Sequence, residues 1–254
     1  MTESAKVLSL LTTLKLPGAS RAMNDVLNDA ETAGSSYVTV LGSLLEAEIS
    51  YRRDRKLKRS LAGAHFPTAK HLDEFDVHGV SGVTKADLAN LQDLRWMETN
   101  TNLLFFGPPG LGKTHLAIGL GMKAIEAGFT VCFERMTNLI RLLKTAEIQR
   151  SSTFRINRLL KADLVIIDEI GYTPIDRKEA NLFFNLVSEL YEKTSVIITS
   201  NKPFEGWAEM LGDEVMTTAL LDRLLHHSRI FALDGPSFRI ASRKEGRSPS
   251  RKAA

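Results

Sequence analysis

The run Gly107-Pro108-Pro109-Gly110-Leu111-Gly112-Lys113-Thr114 is a glycine-rich turn closed by a lysine and a hydroxyl residue. It follows the apolar stretch Leu103 to Phe106 directly and leads into His115-Leu116-Ala117, the start of an apolar helix. Glycines in such a turn let successive backbone N–H groups point inward at a helix N-terminus, where the helix dipole already favours negative charge. Lys113 adds a cation for the terminal phosphates and Thr114 a hydroxyl facing Mg²⁺. Residues 107 to 115 are therefore expected to hold ATP with Mg²⁺.

Two apolar runs end in polar residues suited to act on that ligand. Leu164-Val165-Ile166-Ile167 is followed by Asp168-Glu169. In an open parallel sheet such an end falls at the carboxyl edge, where ligands bind. Asp168 is expected beside Mg²⁺, held through water, together with Thr114. Glu169 is expected to orient or deprotonate water, which a hydrolase needs and a nucleotide-binding switch does not. Ser195 to Ser200 ends the same way, and the next residue, Asn201, could reach the γ-phosphate or the attacking water. Lys113, Glu169 and Asn201 are thus the expected catalytic residues of this edge.

The elements that must position these groups alternate short apolar strands with amphipathic helices, the pattern of a parallel sheet covered on both faces. Strands are expected at 102–106, 129–133, 163–168, 195–199 and 230–233. Asp176 followed by Glu179 forms a capping box ahead of a helix whose Phe183, Leu186, Val187 and Leu190 share one face. Another helix is expected from 213 to 227. Toward the start, Leu8, Leu11 and Leu14 predict a short helix ended by Pro17-Gly18, a second helix follows from Ser20, and Tyr37 to Ile49 keep helical spacing. The expected organisation is a helical N-terminal domain over 1–65, a linker over 66–83, an α/β nucleotide domain over 84–240 and a basic flexible tail over 241–254.

With 254 residues, 43% hydrophobic and 25% charged, the composition is that of a globular protein with a sizeable core. No eighteen apolar residues run together, so membrane insertion is not supported. One cysteine, Cys132, excludes a disulfide framework and fits a reducing, cytoplasmic setting. His115, His226 and His227 have no Cys or His companion at ligand spacing, so metal other than Mg²⁺ is not expected there. The net charge of +3 is unevenly spread: six basic residues lie between Arg52 and Arg59, seven between Arg135 and Lys161 against Glu147 alone, and six between Arg239 and Lys252.

The glycine-rich loop, Asp168-Glu169 and Asn201, in this order, resemble the Walker A, Walker B and sensor 1 motifs of the AAA+ superfamily. Leu16-Pro17-Gly18, Asp168-Glu169-Ile170-Gly171-Tyr172 and Leu221-Asp222-Arg223-Leu224-Leu225-His226-His227 further resemble the IstB-type helper ATPases of insertion sequences, along nearly the whole chain. The resemblance implies an α/β AAA+ P-loop NTPase core with a five-stranded parallel sheet, preceded by a small all-helical domain. It implies ATP hydrolysis, assembly as a homo-oligomer on duplex DNA, and a partner transposase assisted in target selection and transposition; kinship with DnaC-type helicase loaders makes helicase loading the alternative. Arg223 matches the family's arginine finger, which acts on a neighbouring protomer's γ-phosphate; pairing with Asp222 or Glu214 is the alternative. Initiator and loader relatives carry a helical insertion after the second strand, here Met136 to Leu160, whose Arg141, Lys144, Arg150, Arg155 and Arg158 are expected to meet DNA phosphates. Phe154 among them is expected to pack, and Arg239 is a weak candidate for a second sensor.

Overall fold

Thr2 starts the first helix, its hydroxyl accepting from the Ala5 amide at 3.3 Å. In the computed structural model, which describes residues 2–238, the chain divides into two compact units after Ser60. The first holds α1 (Glu3–Thr13), α2 (Pro17–Ala33) and most of α3 (Tyr37–Ala64). Lys15, at φ 56°, turns the chain out of α1, and the Arg52 guanidinium holds its carbonyl at 3.1 Å. Pro17 does not end α1 as expected but opens α2 at its first position, where a missing N–H costs nothing. The two amides behind it, Gly18 and Ala19, donate to the Glu48 carboxylate of α3 at 2.6 and 3.1 Å. Glu48 is 4% exposed. Burial alone would push its carboxyl up, but Arg52 at 2.6 Å and the two amides outweigh burial and hold it below the usual range. A Cβ on Gly18 would lie 2.6 Å from that of Tyr51, so α2 and α3 meet at a contact only glycine permits. The apolar positions that give α1 and α3 their periodicity stay largely at the surface, with Leu14 and Ile49 exposed and Tyr37 95% exposed.

The second unit is built on a five-stranded parallel sheet in the order β2-β3-β4-β1-β5. Its strands are β1 (Asn102–Phe106), β2 (Val131–Arg135), β3 (Leu164–Ile170), β4 (Ser195–Ser200) and β5 (Ser228–Ala232). All five expected strands are present, with β2 starting two residues late after the turn at Gly128, whose φ is 99°. Ahead of β1 lie α4 (Lys85–Gln92), capped by a Thr84–Asp87 box, and α5 (Arg95–Glu98). α6 (Lys113–Glu126) covers one face of the sheet, its Gly121 so close that a Cβ would meet Ile166 at 2.7 Å. The other face is covered by α7 (Met136–Thr145), α8 (Arg150–Leu159), α9 (Arg177–Leu190), α10 (Trp207–Leu211) and α11 (Glu214–Leu225). Leu139, Phe183, Trp207 and Leu224 from these helices join Val165, Ile167 and Ile198 of the sheet in one buried cluster. The capping box opening α9 is present in both directions, Asp176 to the Glu179 amide and Glu179 to the Asp176 amide.

The segment 66–83 is not the open linker its Pro and Gly content suggested. Leu72, Phe75, Val80 and Val83 are buried, Phe66 lies edge-on to Phe133, and the Ser81 amide donates to the Asp234 carbonyl at 2.8 Å. Apolar residues spaced too irregularly for a helix or strand here line an extended strap over the nucleotide unit.

Arg155 of α8 is buried, and its guanidinium reaches the Glu134 carboxylate, the Gly63 carbonyl at 3.2 Å and the Phe133 carbonyl at 3.1 Å. Removing one partner of a buried pair leaves the other charge uncompensated. Arg155→Ala is therefore expected to destabilise this unit by about 3–5 kcal/mol, read as a lower urea midpoint with an unchanged slope, whereas a loss under ~1 kcal/mol, the range of an exposed pair, would contradict the staple described here.

Candidate nucleotide site

β1 delivers the chain to Gly107, and α6 takes it up at Lys113. Between them Gly107, Gly110 and Gly112 have φ of 137°, 90° and 86°, values an L side chain rarely adopts. A Cβ on Gly107 would also strike the Leu233 carbonyl oxygen at 2.1 Å. The loop is thereby wrapped around the first turn of α6, whose backbone N–H groups are the donors a phosphate requires. Lys113 lies over this loop, its ammonium donating to the Gly107 and Pro108 carbonyls at 2.6 and 2.8 Å. The amide of His115 lies in the first turn of α6, but the His115 ring turns away from the loop. Its Nε2 meets the His71 carbonyl oxygen at 2.7 Å and its ring lies edge-on to Phe75, so the side chain is tied to the strap.

β3 and β4 stay in register from Leu164 opposite Ser195 to Ile167 opposite Ile198, and then Ile170 falls opposite Ser200. One extra residue is thus accommodated at Asp168-Glu169, where Glu169 has φ 63°. A bulge of this kind re-aims side chains. Asp168 is fully buried. Its Oδ1 accepts from Thr114 Oγ1 at 2.7 Å and Thr199 Oγ1 at 2.6 Å, while Oδ2 has no hydrogen-bond partner among the described residues. A buried carboxylate oxygen left this way is costly unless a cation faces it. Together with the Thr114 hydroxyl it makes a donor set of hard oxygens suited to Mg²⁺. Asn201 Oδ1 is likewise buried without a partner, beside Gly171, where a Cβ would come within 3.1 Å of it.

Glu169 stands beside this carboxylate but faces elsewhere. Its amide donates to Thr199 Oγ1 at 3.0 Å, and its carboxylate pairs with Arg135 Nε at 3.5 Å. It lines a cavity of about 240 Å³ with Met136, Thr137, Ile140, Thr173 and Pro174. Thr199 and Arg135 escaped the sequence reading. The alternation of β4 places Thr199 and Ile197 on one face, and polarity at position 199 inside a buried strand was the available signal.

Arg223 pairs with neither Asp222 nor Glu214. Its guanidinium lies over the Phe184 ring at 4.6 Å and donates to the Ala219 carbonyl at 2.9 Å, contacts within α9 and α11 rather than with the loop of its own chain. The five basic residues of the insertion do not share one face. Arg141, Lys144 and Arg150 are exposed, Arg158 packs against Gly63, and Arg155 is consumed by the Glu134 pair. Lys144 pairs with Glu179 at 2.7 Å; that contact raises the lysine's pKa and, with the Asp176 amide, lowers the glutamate's. Phe154 is 71% exposed, not packed as expected. Arg239 and the basic tail lie outside the described residues.

A parallel sheet of order 2-3-4-1-5, with a phosphate loop after β1 and polar tips on β3 and β4, defines an AAA+ P-loop ATPase. Two solved structures share this fold: DnaI, at 15% identity and a TM-score of 0.56 over 65% of this chain and 91% of that one, and the DnaC helicase loader, at 18% and 0.50 over 70% and 99%. The chain belongs to the family of IstB-like ATP binding proteins, whose model matches residues 9–246. It is 39% identical to the insertion sequence IS21 ATP-binding protein of Pseudomonas aeruginosa over 93% of this chain and 89% of that one. To the insertion sequence IS5376 ATP-binding protein of Geobacillus stearothermophilus it is 37% identical, over 91% and 92%. No helix among the described residues is long and apolar enough to cross a membrane.

One hydroxyl, that of Thr199, donates to the Asp168 carboxylate and accepts from the Glu169 backbone amide, so it ties the buried carboxylate to the bulged backbone that carries Glu169. Loss of such an outer partner typically costs 10–100-fold in activity. Thr199→Val is expected to lower ATP turnover by about that factor while leaving nucleotide affinity within roughly threefold; steady-state hydrolysis beside equilibrium binding of a fluorescent ATP analogue separates the two, and undiminished turnover would remove Thr199 from the site.

Proposed function

We propose that the chain hydrolyses ATP as a homo-oligomer assembled on duplex DNA and thereby assists a transposase in choosing and joining its target. The observation that carries this reading is Arg135. It ends β2, forms the N-cap of α7, and pairs with Glu169, so the residue expected to prepare water is tethered to the first turn of the basic insertion.

Lys113 and the loop amides bind the terminal phosphates, and Thr114 and Asp168 are the residues that would hold Mg²⁺. Bound with ATP, the ion would supply positive charge at the phosphate oxygens where negative charge develops. Glu169, once off Arg135, takes the water proton, and Asn201 orients that water through its buried carbonyl oxygen. Arg223 makes its contacts with Phe184 and the Ala219 carbonyl and not with the loop of its own chain, which supports its use at the γ-phosphate of a neighbouring protomer and hence a site completed only in the oligomer. The exposed Arg141, Lys144 and Arg150 offer phosphates a surface without base-edge readout. DNA phosphates drawn to α7 would compete for Arg135 and free Glu169, which couples binding to turnover. The Arg135–Glu169 pair is half-exposed, so this restraint is worth about 1 kcal/mol or less, equivalent to a factor of up to about 5. The relatives named for insertion sequences support a transposase as partner, whereas the likeness to DnaC is one of fold alone.

Glu169→Gln keeps the loop and Asp168 but removes the base, a contribution of typically 10²–10⁴. It is expected to bind ATP normally, to stop turning over, and to remain on DNA as ring-like or spiral assemblies in negative-stain images that retain the transposase and not a replicative helicase. A variant that hydrolyses ATP at the parental rate, or whose assemblies hold the helicase instead, would overturn the proposal. Arg135→Ala should raise turnover without DNA two- to fivefold, given a restraint of ~1 kcal/mol, and flatten DNA stimulation; an unchanged ratio of stimulated to basal rate would disconnect α7 from Glu169.

A further inference from the structure

Away from the phosphate loop, the turn after α9 meets the junction of α11 and β5. His226 caps α11 and His227 precedes β5, and the fold brings Glu192 against both. Glu192 Oε1 lies 3.4 Å from His226 Nδ1 and 3.8 Å from His227 Nε2, and the three ligand atoms lie within 4.8 Å of one another. We propose that Glu192, His226 and His227 form a binding site for a divalent transition-metal ion of the zinc class.

The spacing fits. A tetrahedral ion with ligand bonds of about 2.0–2.2 Å keeps its ligand atoms roughly 3.3–3.6 Å apart, so rotamer adjustments suffice to close the set. Two imidazoles with one carboxylate select zinc, nickel or copper over magnesium and calcium, which take oxygen ligands. Three protein ligands leave a fourth position open, and the Tyr191 hydroxyl stands 2.6 Å from His226 Nδ1 at its rim; an ion on that nitrogen would displace the hydroxyl from it. Each of the three groups is about half-exposed and so accessible to an ion in solution.

The backbones that carry the ligands are tied down independently. Glu192 has φ 57°, a conformation costly for an L side chain and concentrated at functional positions. Its carbonyl accepts from Asn100 Nδ2 at 2.8 Å. The His226 amide donates to the Asp222 carbonyl at 3.1 Å, and the His227 carbonyl accepts the Asn102 amide at 2.7 Å. Counting spacing along the chain excludes such a site, because the third ligand comes from a residue 34 positions before the first histidine. An ion here would pin α9 to the end of α11, three residues beyond Arg223.

The test uses the full chain, stripped with chelator and free of nucleotide. Zinc titrated in a calorimeter should bind one per chain at micromolar affinity or tighter, and cobalt should give the intense visible absorption of a four- or five-coordinate ion with nitrogen ligands. Glu192→Gln and His227→Ala should each weaken zinc at least tenfold, while Asp168→Asn leaves it unchanged, which separates this site from the one for Mg²⁺. Binding that survives both substitutions, or that Asp168→Asn abolishes, overturns the proposal. So does a parental cobalt spectrum showing only six-coordinate oxygen ligation, a readout that holds even if the variants fail to fold.

Discussion

A single buried carboxylate organises the nucleotide unit. Asp168 is fully buried; Thr114 and Thr199 both donate to one of its oxygens, and the other has no hydrogen-bond partner among the described residues. Thr114 belongs to α6, Asp168 to β3 and Thr199 to β4, so the contact ties the covering helix to two central strands at the sheet edge. The bulge after Ile167 follows from the same need, since an unbroken ladder would turn Glu169 away from the Thr199 hydroxyl its amide now meets. Geometry that serves phosphate chemistry is in this way also geometry that closes the core.

Much of that edge was legible in the sequence because its signals are local. The phosphate loop, the polar strand ends and the Asp176–Glu179 box each occupy a few consecutive residues, and backbone conformation and side-chain chemistry agree there. What was not legible depends on pairs formed across the chain. Arg155 and Arg150 belong to one basic helix, yet one is buried and the other exposed, because Glu134 waits 21 residues earlier on β2. Helical spacing sets Arg155 on one face with the buried Ser152 and Leu159, but it does not reveal the carboxylate that meets the arginine there. The strap over 66–83 misled for a related reason: isolated apolar residues between Pro and Gly read as a tether until Gly112 and Gly119 are seen to leave space for Phe75 and Leu72.

Glycine has two distinct uses in this chain. In the loop, Gly107 and Gly112 supply backbone conformations that other residues avoid. Gly18, Gly63 and Gly121 have no such conformational need and instead admit a neighbour: the helix α3, the Arg158 guanidinium, and Ile166 with Phe66. The first kind announces itself as a phosphate-loop motif. The second kind fixes where helices lie.

Cys132 is the chain's one cysteine and lies buried on β2, where burial pushes its thiol above the ordinary range. Thiolate, not thiol, reacts with alkylating reagents, so the native chain is close to inert toward them. A cysteine introduced at any exposed position would then be the sole point of attachment for a fluorophore or spin label, with no background substitution needed beforehand.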